Sequence, residues 1–189
     1  MATTNPGKQG EFRRLLAHLA AEVVTPDEVG IDLDVDEPHD TYAENAVAKA
    51  VAYARTSALL TVADDSGIEV AALGWGPGVR SARWGGDDKA ASVVDAIGDA
   101  TDRRARMVCA LAVARPAMGG PEVEVFTGVV EGAVAGGPRG TGGFGYDPIF
   151  LLPDGRTTAE LPEDEKDSIS HRGRAVEAAT PRLLQLLAE

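Results

Sequence analysis

The sequence predicts a protein of mixed helices and strands built around one sizeable core. Apolar residues recur at helical spacing in several segments, and the segments between them carry short apolar or alternating runs that are typical of strands. The length of 189 residues, with 44% hydrophobic and 25% charged residues, is ordinary for a soluble globular chain. The same length also permits two lobes around a cleft.

Composition excludes several classes of function. A formal net charge of −12 argues against a nucleic-acid-binding surface, which normally carries a basic stripe. No stretch is long and apolar enough to span a membrane, and the first residues lack the basic-then-apolar pattern of a leader. Cys109 is the single cysteine, so a disulfide within the chain is impossible. We therefore expect a cytoplasmic protein with no membrane or nucleic-acid partner.

The first candidate site is a polar loop that precedes an amphipathic helix. The loop consists of Thr3, Thr4, Asn5, Pro6, Gly7 and Lys8. The apolar spacing within residues 12–19 predicts a helix directly after it. A helix start offers free backbone N–H groups to an anion, and Lys8 adds a full positive charge. The pattern is not a Walker phosphate loop, because Gln9 follows the lysine. An ordinary helix-start turn is the alternative interpretation.

A second helix is predicted after an acidic segment. Residues 22–36 are typical of weak strand and loop, and the acidic residues up to Glu37 receive no role. Thr41 and Glu44 have the spacing of a capping box, although a glutamate at a helix start can also turn toward a metal ion. Lys49 points away from the apolar stripe, as a solvated charge would. That stripe, which predicts a helix of about four turns, consists of Ala43, Val47, Ala50, Val51 and Ala54.

Two adjacent carboxylates follow the apolar run at residues 59–63. Asp64, Asp65 and Ser66 stand at the end of the predicted strand, and such a group of oxygens suits a hard divalent cation. Successive strand residues point to opposite faces, so both carboxylates cannot face one cleft unless a turn begins there. One of them could bind a metal or activate water while the other braces the loop. A hairpin turn is the structural alternative.

Further along, the patterns predict a glycine-rich loop at 73–86, a helix at 87–100 and a hairpin of two strands at 106–114 and 123–132. The loop could serve as a flap, a phosphate contact, a dimer contact or plain surface. Cys109 lies in the first hairpin strand and is expected in the core. A C-terminal helix is predicted with Ser170 as N-cap, which places the basic residues 171–172 in its first turn. Pro181 either kinks that helix or begins a new turn.

The stretch GTGGFGYDPIF at residues 140–150 is the feature around which we expect the chain to be organised. Glycine lets a backbone approach a ligand closely or adopt a positive φ. Phe144, Tyr146 and Asp147 are placed between such glycines, so they can be held at fixed angles to a flat polar ligand. A tight turn whose aromatic side chains fill the core is the alternative.

Five stretches occur in order between residues 2 and 172: ATTNPGKQGEF, TYAENAVAKA, ADDSGIEVAALGWGPGVRSARWGG, GTGGFGYDPIF and AELPEDEKDSISHR. Together they resemble the motif set of the inosine/xanthosine triphosphate pyrophosphatase family. The resemblance implies an elongated α/β fold in which helices flank a central mixed sheet. It further implies a single domain over residues 1–189, with two lobes around an active-site cleft.

The resemblance also implies an activity and its partners. It implies hydrolysis of purine nucleoside triphosphates with deaminated bases (ITP, dITP and XTP) to the monophosphate and pyrophosphate, which keeps these nucleotides out of DNA and RNA. One Mg²⁺ per subunit, or alternatively Mn²⁺, and a homodimer are implied as well. A pyrophosphatase of broader or different nucleotide specificity is the second hypothesis. A non-catalytic nucleotide-binding module is the third.

Residue roles on the phosphate side follow from motif position. The resemblance implies that the loop from Thr3 to Lys8 holds the triphosphate, with Lys49 as a second phosphate cation. It implies that Glu44 and Asp65 bind the metal and that Asp65 also activates the attacking water. Asp64 and Ser66 are implied beside it.

Residue roles on the base side follow in the same way. The resemblance implies that Phe144 stacks on the base and that its three neighbours, Gly145, Tyr146 and Asp147, complete that wall. Three basic side chains are implied to close over the base and its 6-keto oxygen, namely Lys166, His171 and Arg172. A donor at that oxygen would favour hypoxanthine and xanthine over adenine, which carries an amine there.

Overall fold

The computed structural model describes all residues from 1 to 189, and it is an α/β fold as predicted. The helices are α1 (Pro6–Leu15), α2 (Tyr42–Ser57), α3 (Lys89–Ile97), α4 (Glu163–Ile169) and α5 (His171–Leu187). The strands are β1 (Thr61–Val70), β2 (Gly76–Pro77), β3 (Arg104–Arg115), β4 (Glu122–Val134) and β5 (Phe150–Leu151). No helix is long and apolar enough to cross a membrane.

The strands form a single sheet in the order β2-β1-β3-β4-β5. β2 pairs antiparallel with β1, with Glu69 opposite Pro77, and β5 pairs antiparallel with β4, with Ala133 opposite Leu151. β3 and β4 are neighbours joined by the short segment 116–121, and so short a connection requires an antiparallel pair. The predicted hairpin is therefore confirmed.

Contacts divide the chain into two compact units, and β1, β3 and β4 contribute residues to both. The first unit comprises Met1–Asp65, Cys109–Gly128 and Arg172–Glu189. Its core includes Phe12, Leu111 and Val176. Cys109 belongs to this core as predicted, and burial raises the pKa of its thiol, so it is a packing residue.

The second unit comprises Ser66–Val108 and Val129–His171. Its core includes Ile68, Val93 and Phe150. α3 begins at an Asp88 N-cap and matches the helix predicted at 87–100 within two or three residues at each end. α4 was not predicted, because its acidic sequence carries no apolar stripe.

Two expectations about strands are corrected. β1 runs without interruption through residues 64–67, so the strand does not end at the carboxylate pair and the alternative hairpin turn does not form. Residues 31–39 contain no strand, although Ile31, Leu33 and Val35 are half-buried and alternate with exposed aspartates. This alternation reflects a segment that packs on one side only, and the backbone there has no neighbouring strand with which to form a ladder.

The helix patterns are confirmed in position but not in every detail. α2 begins at the predicted Thr41 cap, yet its buried face includes Asn45 and Tyr53, whereas Val47 and Val51 are only half-buried. The buried face is therefore rotated from the predicted stripe, and it brings polar side chains inward. α5 begins at His171 as expected, and Pro181 lies inside it without ending it.

Candidate active site

The polar loop at the start of the first unit is partly exposed, and its last three residues, 6–8, form the first turn of α1, so the helix begins earlier than predicted. Asn5 is the N-cap of α1, and its side chain accepts a hydrogen bond from the backbone N–H of Lys8 at 3.1 Å. Pro6 takes the first helical position, where a missing N–H costs nothing. The Gln9 amide bonds the carbonyl of Thr3 at 2.9 Å, which fixes the loop against the helix. The loop therefore lies at the positive end of the helix dipole, where an anion is stabilised.

Asp64 is the centre of a buried group of charges in the first unit. Its side chain is fully buried, and both carboxylate oxygens lie close to the Lys8 ammonium, at 3.0 and 2.9 Å. Arg172 approaches the same carboxylate at 3.4 Å, and the Lys49 ammonium donates to the backbone carbonyl of Asp64. Burial alone would raise the pKa of Asp64, but Lys8, Arg172 and Lys49 together hold it well below its usual value. Asp64 is thus an anchor for three cations that stays ionised at neutral pH.

Asp65 has a different environment from its neighbour. The amide of Asn45 donates to its carboxylate at 3.0 Å. Burial raises the pKa of Asp65 and outweighs the opposing effects of Asn45 and Lys49. The two carboxylates face different partners, as the alternation of strand residues predicts. Asp65 therefore holds a proton more readily than Asp64 does.

A solvated charge was the alternative interpretation of Lys49, and the structure excludes that alternative. Its side chain is only 13% exposed, and its ammonium forms an ion pair with Glu37 in addition to its bond with Asp64. Burial alone would lower the pKa of Lys49, but Asp64 and Glu37 raise it above its usual value. Lys49 therefore stays charged, and its ammonium group and that of Lys8 both bond Asp64.

Arg172 is held by a buried glutamate from α1. Its guanidinium bonds the carboxylate of Glu11 at 2.9 Å, and both side chains are almost fully buried. The charges therefore alternate along a connected line from Glu11 through Arg172 and Asp64 to Lys8. Arg172 was predicted to approach the base, and the contacts found here place it on the carboxylates of the first unit. Its role toward a base stays a prediction.

Glu44 and Asp65 are the metal ligands implied by the family resemblance. No group of three or more His, Cys, Asp or Glu side chains is arranged to hold a metal ion without other ligands. Mg²⁺, however, commonly uses only one or two carboxylates and completes its shell with water and phosphate oxygens. Glu44 is exposed, bonds the Thr41 hydroxyl at 2.7 Å, and precedes the asparagine that contacts Asp65. The roles of Glu44 and Asp65 toward a metal ion stay a prediction.

In the second unit, the stretch 140–150, which we call the glycine loop, is built around the buried carboxylate of Asp147. This carboxylate accepts hydrogen bonds from the Phe144 backbone N–H at 2.7 Å, the Lys166 ammonium at 2.7 Å and the Thr158 hydroxyl at 2.8 Å. Gly143 has φ +67°, and a Cβ at this position would lie 2.1 Å from the carboxylate. The close approach therefore requires glycine, and Asp147 acts as the internal brace of the loop.

The half-buried ring of Phe144 contacts the buried ammonium group of Lys166. The Lys166 ammonium lies 5.2 Å from the centroid of the Phe144 ring, within the range of a cation–π contact. Phe144 is half-buried, so part of its ring remains open to solvent. An aromatic face with a cation beside it is suited to stack on a flat ring that carries carbonyl oxygens.

Other predicted base-side residues lie inside the second unit. Tyr146 belongs to its core, and its hydroxyl donates to the carbonyl of Ser81 at 2.8 Å. Burial raises the pKa of Tyr146 to about 12. His171 is buried at the first position of α5, whereas Gly145 is exposed and has φ +62°. Ser66 is half-buried in β1 directly after the carboxylate pair.

Sequence reasoning missed four residues that support the site: Glu11, Glu37, Asn45 and Thr158. Glu11 could have been suspected, because it follows Lys8 by three residues and so shares its helix face. Glu37 belongs to an acidic segment, and no feature of the sequence distinguishes it from the exposed aspartates before it. The other two are polar residues whose importance depends on partners distant in sequence.

Comparison with known proteins gives consistent matches over the full length. The chain matches the model of the Ham1 family over residues 1–182. It is 48% identical to the dITP/XTP pyrophosphatase of Symbiobacterium thermophilum over 197 aligned residues, which cover 100% of this chain and 96% of the relative.

Solved structures show the same likeness. A HAM1 protein from Coxiella burnetii is similar with a TM-score of 0.83 and 38% identity, covering 99% of this chain and 96% of that one. The nucleoside-triphosphatase / dITP/XTP pyrophosphatase from Mycobacterium abscessus is similar with a TM-score of 0.72 and 41% identity, covering 96% and 97% respectively.

Proposed function

Because this chain belongs to the Ham1 family, we propose that it is a nucleoside triphosphate pyrophosphatase acting on deaminated purine nucleotides. It converts ITP, dITP and XTP to the monophosphate and pyrophosphate and so keeps these bases out of nucleic acids. The observation that carries the proposal is the meeting of Lys8 and Lys49 at Asp64, directly beside the less acidic Asp65. The curated name of the relative from Symbiobacterium thermophilum supports the choice of substrate.

The proposal assigns the triphosphate to the first unit. Phosphate oxygens would bind the N–H groups of the loop from Thr3 to Lys8 and the two lysine ammonium groups. Attack at a phosphate with pyrophosphate as leaving group needs mainly positioning and neutralisation of charge. Asp64 keeps the lysines in place, and it is a poor base because its pKa is depressed.

Asp65 is the general base in this proposal. Its raised pKa gives it a greater affinity for a proton than its neighbour has, and the Asn45 amide fixes the orientation of its carboxylate. Glu44 and Asp65 would hold a divalent cation, Mg²⁺ or alternatively Mn²⁺, together with phosphate oxygens. Such an ion, when bound, polarises the phosphate and lowers the pKa of a coordinated water. Glu37 supports the site by holding Lys49.

The proposal assigns the base to the second unit. Phe144 stacks on the purine, with Gly145 leaving its face unobstructed, while Tyr146 and Asp147 support the loop from within. Lys166 and His171 offer donors to the 6-keto oxygen, which adenine lacks. The proposal also includes Arg172 as a contributor, acting through the carboxylates that it holds.

The remaining parts of the proposal concern setting and assembly. We propose a cytoplasmic homodimer of a chain that forms a single domain. The net charge of −12 supports the absence of nucleic-acid partners.

The test is a product assay that detects pyrophosphate and orthophosphate separately, with Mg²⁺ and each of ITP, XTP, dITP, GTP and ATP. We expect pyrophosphate from the deaminated nucleotides and almost none from ATP and GTP. Asp65→Asn should lower turnover at least about a thousandfold while ITP binding survives. Asp99→Asn, at an exposed aspartate, is the matched control and should keep full turnover.

Each other outcome would change the assignment. Orthophosphate as the product would contradict the bond that we assign. Equal rates on all five nucleotides would remove the base-recognition roles, and unchanged turnover in Asp65→Asn would remove the base. Nucleotide binding without turnover would favour a binding module.

A further inference from the structure

We propose that Thr158 is a positioning residue that sets the base preference through Asp147. This inference rests on the proposed function and adds to it a residue outside every stretch that resembles the family motifs. Thr158 is the first residue of a short 3₁₀ helix, 158–160, and directly precedes the last of those stretches, which begins at Ala159. Its side chain does not face a ligand directly, because it is buried and its hydroxyl is bonded to another side chain.

The hydroxyl of Thr158 holds one oxygen of a carboxylate whose other oxygen serves the base wall. It lies 2.8 Å from Oδ1 of Asp147 and 3.2 Å from the backbone oxygen of the same residue. Oδ2 accepts from the Phe144 N–H and from the Lys166 ammonium, each at 2.7 Å. Holding Oδ1 fixes the plane of the carboxylate and therefore the direction in which Oδ2 points. The positions of the aromatic ring and of the ammonium group follow from that direction.

The backbone around Thr158 is also fitted to the glycine loop. The Gly142 N–H donates to the carbonyl of Ala159 at 2.9 Å. A Cβ on Gly140 would lie 2.4 Å from the same carbonyl, so the loop can pack here only with glycine. Thr157 and Glu160 form a capping box that keeps the short helix in shape. Thr158 thus reaches Asp147 from a fixed support.

Loss of the hydroxyl should loosen the base wall without unfolding it. The carboxylate of Asp147 would keep two donors on Oδ2, so it would not become an isolated buried charge. It could, however, rotate and carry the Lys166 ammonium away from the position that meets a 6-keto oxygen. Contacts to the base are made in the ground state and the transition state alike. Their loss therefore weakens binding, which appears in KM, and affects kcat little.

Valine is the informative replacement for Thr158. A cavity of about 10 Å³ lies beside Thr158, Asp147 and Lys166, which is near the smallest space that holds one water molecule. Alanine would enlarge that cavity, and an entering water could replace the missing hydrogen bond. Valine fills the volume of threonine and offers no donor, so it removes the hydrogen bond alone. Serine retains the hydroxyl and is the matched control.

The experiment compares steady-state kinetics of the wild type, Thr158→Val and Thr158→Ser on ITP and ATP, together with thermal melting. For Thr158→Val we expect KM for ITP to rise about tenfold with kcat changed less than about threefold, and the preference for ITP over ATP to fall. Thr158→Ser should restore KM to within about twofold of the wild type. The dissociation constant of ITP, measured by calorimetry in an Asp65→Asn background, should rise with the same factor as KM.

The outcomes separate this inference from the function on which it rests. If the wild type releases no pyrophosphate from ITP, the proposed function fails, and this inference fails with it. If the wild type is active but Thr158→Val keeps its KM and its preference, only this inference is overturned. A lower melting temperature with reduced kcat and unchanged KM would show a purely structural role and would overturn it too.

Discussion

Replacing Asp64 by asparagine removes a buried negative charge that the half-buried Lys8 and the buried Arg172 share. The carboxylate is fully buried and lies 2.9 Å from Lys8 and 3.4 Å from Arg172. Asparagine has nearly the same shape as aspartate, so the change isolates the charge. Because Arg172 is buried and cannot move to water, the two cations would be left close together with less compensation.

The magnitude follows from the distances and the burial. At an effective dielectric constant of about 20, a pair at 2.9 Å gains roughly 6 kcal/mol, part of which is offset by desolvation of the charges. Breaking a buried pair by removing one partner costs about 3–5 kcal/mol. For a chain of this size, 1 kcal/mol shifts the melting temperature by about 2–4 °C. We therefore expect Asp64→Asn to melt about 6–20 °C below the wild type at pH 7.

The loss should depend on pH in a defined direction. The pKa of Asp64 is depressed in the folded protein below its ordinary value of 3.8, because its cationic neighbours outweigh the effect of burial. A carboxyl group whose pKa is depressed on folding stabilises the folded protein at pH values above its pKa in the unfolded chain. This stabilisation is lost as the pH falls below that pKa toward the folded-state pKa. The difference in melting temperature between the wild type and Asp64→Asn should therefore have its full size at pH 7 and pH 5 and should become smaller below pH 3.8.

The assay is thermal unfolding by circular dichroism at these pH values, with Asp102→Asn as the control. Asp102 pairs with Arg104 at 2.7 Å, but both side chains are largely exposed, so its loss should leave the melting temperature unchanged. The reasoning would be refuted if Asp64→Asn lost no more stability than the control. A gap of equal size at pH 3 and pH 7 would refute the electrostatic cause.

Two further predictions concern one residue in each unit. Glu37→Gln removes the ion pair of Lys49, and we expect the Mg²⁺ concentration for half-maximal pyrophosphate release to rise about tenfold. Asp36→Asn, at an exposed neighbouring residue, is the control and should leave that concentration unchanged. Equal Mg²⁺ titration curves for the two variants would contradict the role of Glu37. Gly143→Ala should lower the melting temperature much more than Gly145→Ala. Both glycines have a positive φ, but only a Cβ at position 143 would meet Asp147. Equal losses in melting temperature would show that backbone conformation alone determines the cost of the substitution.

Local patterns predicted most of the regular elements. The helices at α2, α3 and α5 and the hairpin of β3 and β4 follow from apolar periodicity, caps and turn residues close in sequence. The pattern failed where the sheet overrides local preference: residues 64–67 have good turn chemistry, yet they continue β1. α4 could not be predicted from periodicity, since its residues are mainly charged.

The sequence motifs select residues for the candidate site but do not predict their contacts. Motif position selected Lys8, Lys49 and Asp64, but the partners of these side chains come from distant parts of the chain. The bond between Arg172 and Glu11, for example, joins residues 161 positions apart. A buried ion pair has no local signature, because each member alone resembles an ordinary surface charge. Contacts of this kind become visible only when the fold brings the segments together.

The balance of charge in the first unit bears directly on the proposed cofactor. The cations found in and around the site are fewer than the carboxylates: three, Lys8, Lys49 and Arg172, against five, Glu11, Glu37, Glu44, Asp64 and Asp65. Even with Asp65 left out, four carboxylates stand against three cations, so the formal charge of this group is negative before any nucleotide arrives. A triphosphate alone would be repelled by this excess of charge. A divalent cation that arrives with the phosphates would cancel it, while Lys8 and Lys49 would retain their carboxylate partners. The acidity of the site is therefore an argument for a metal–nucleotide complex as the substrate, independent of the family resemblance.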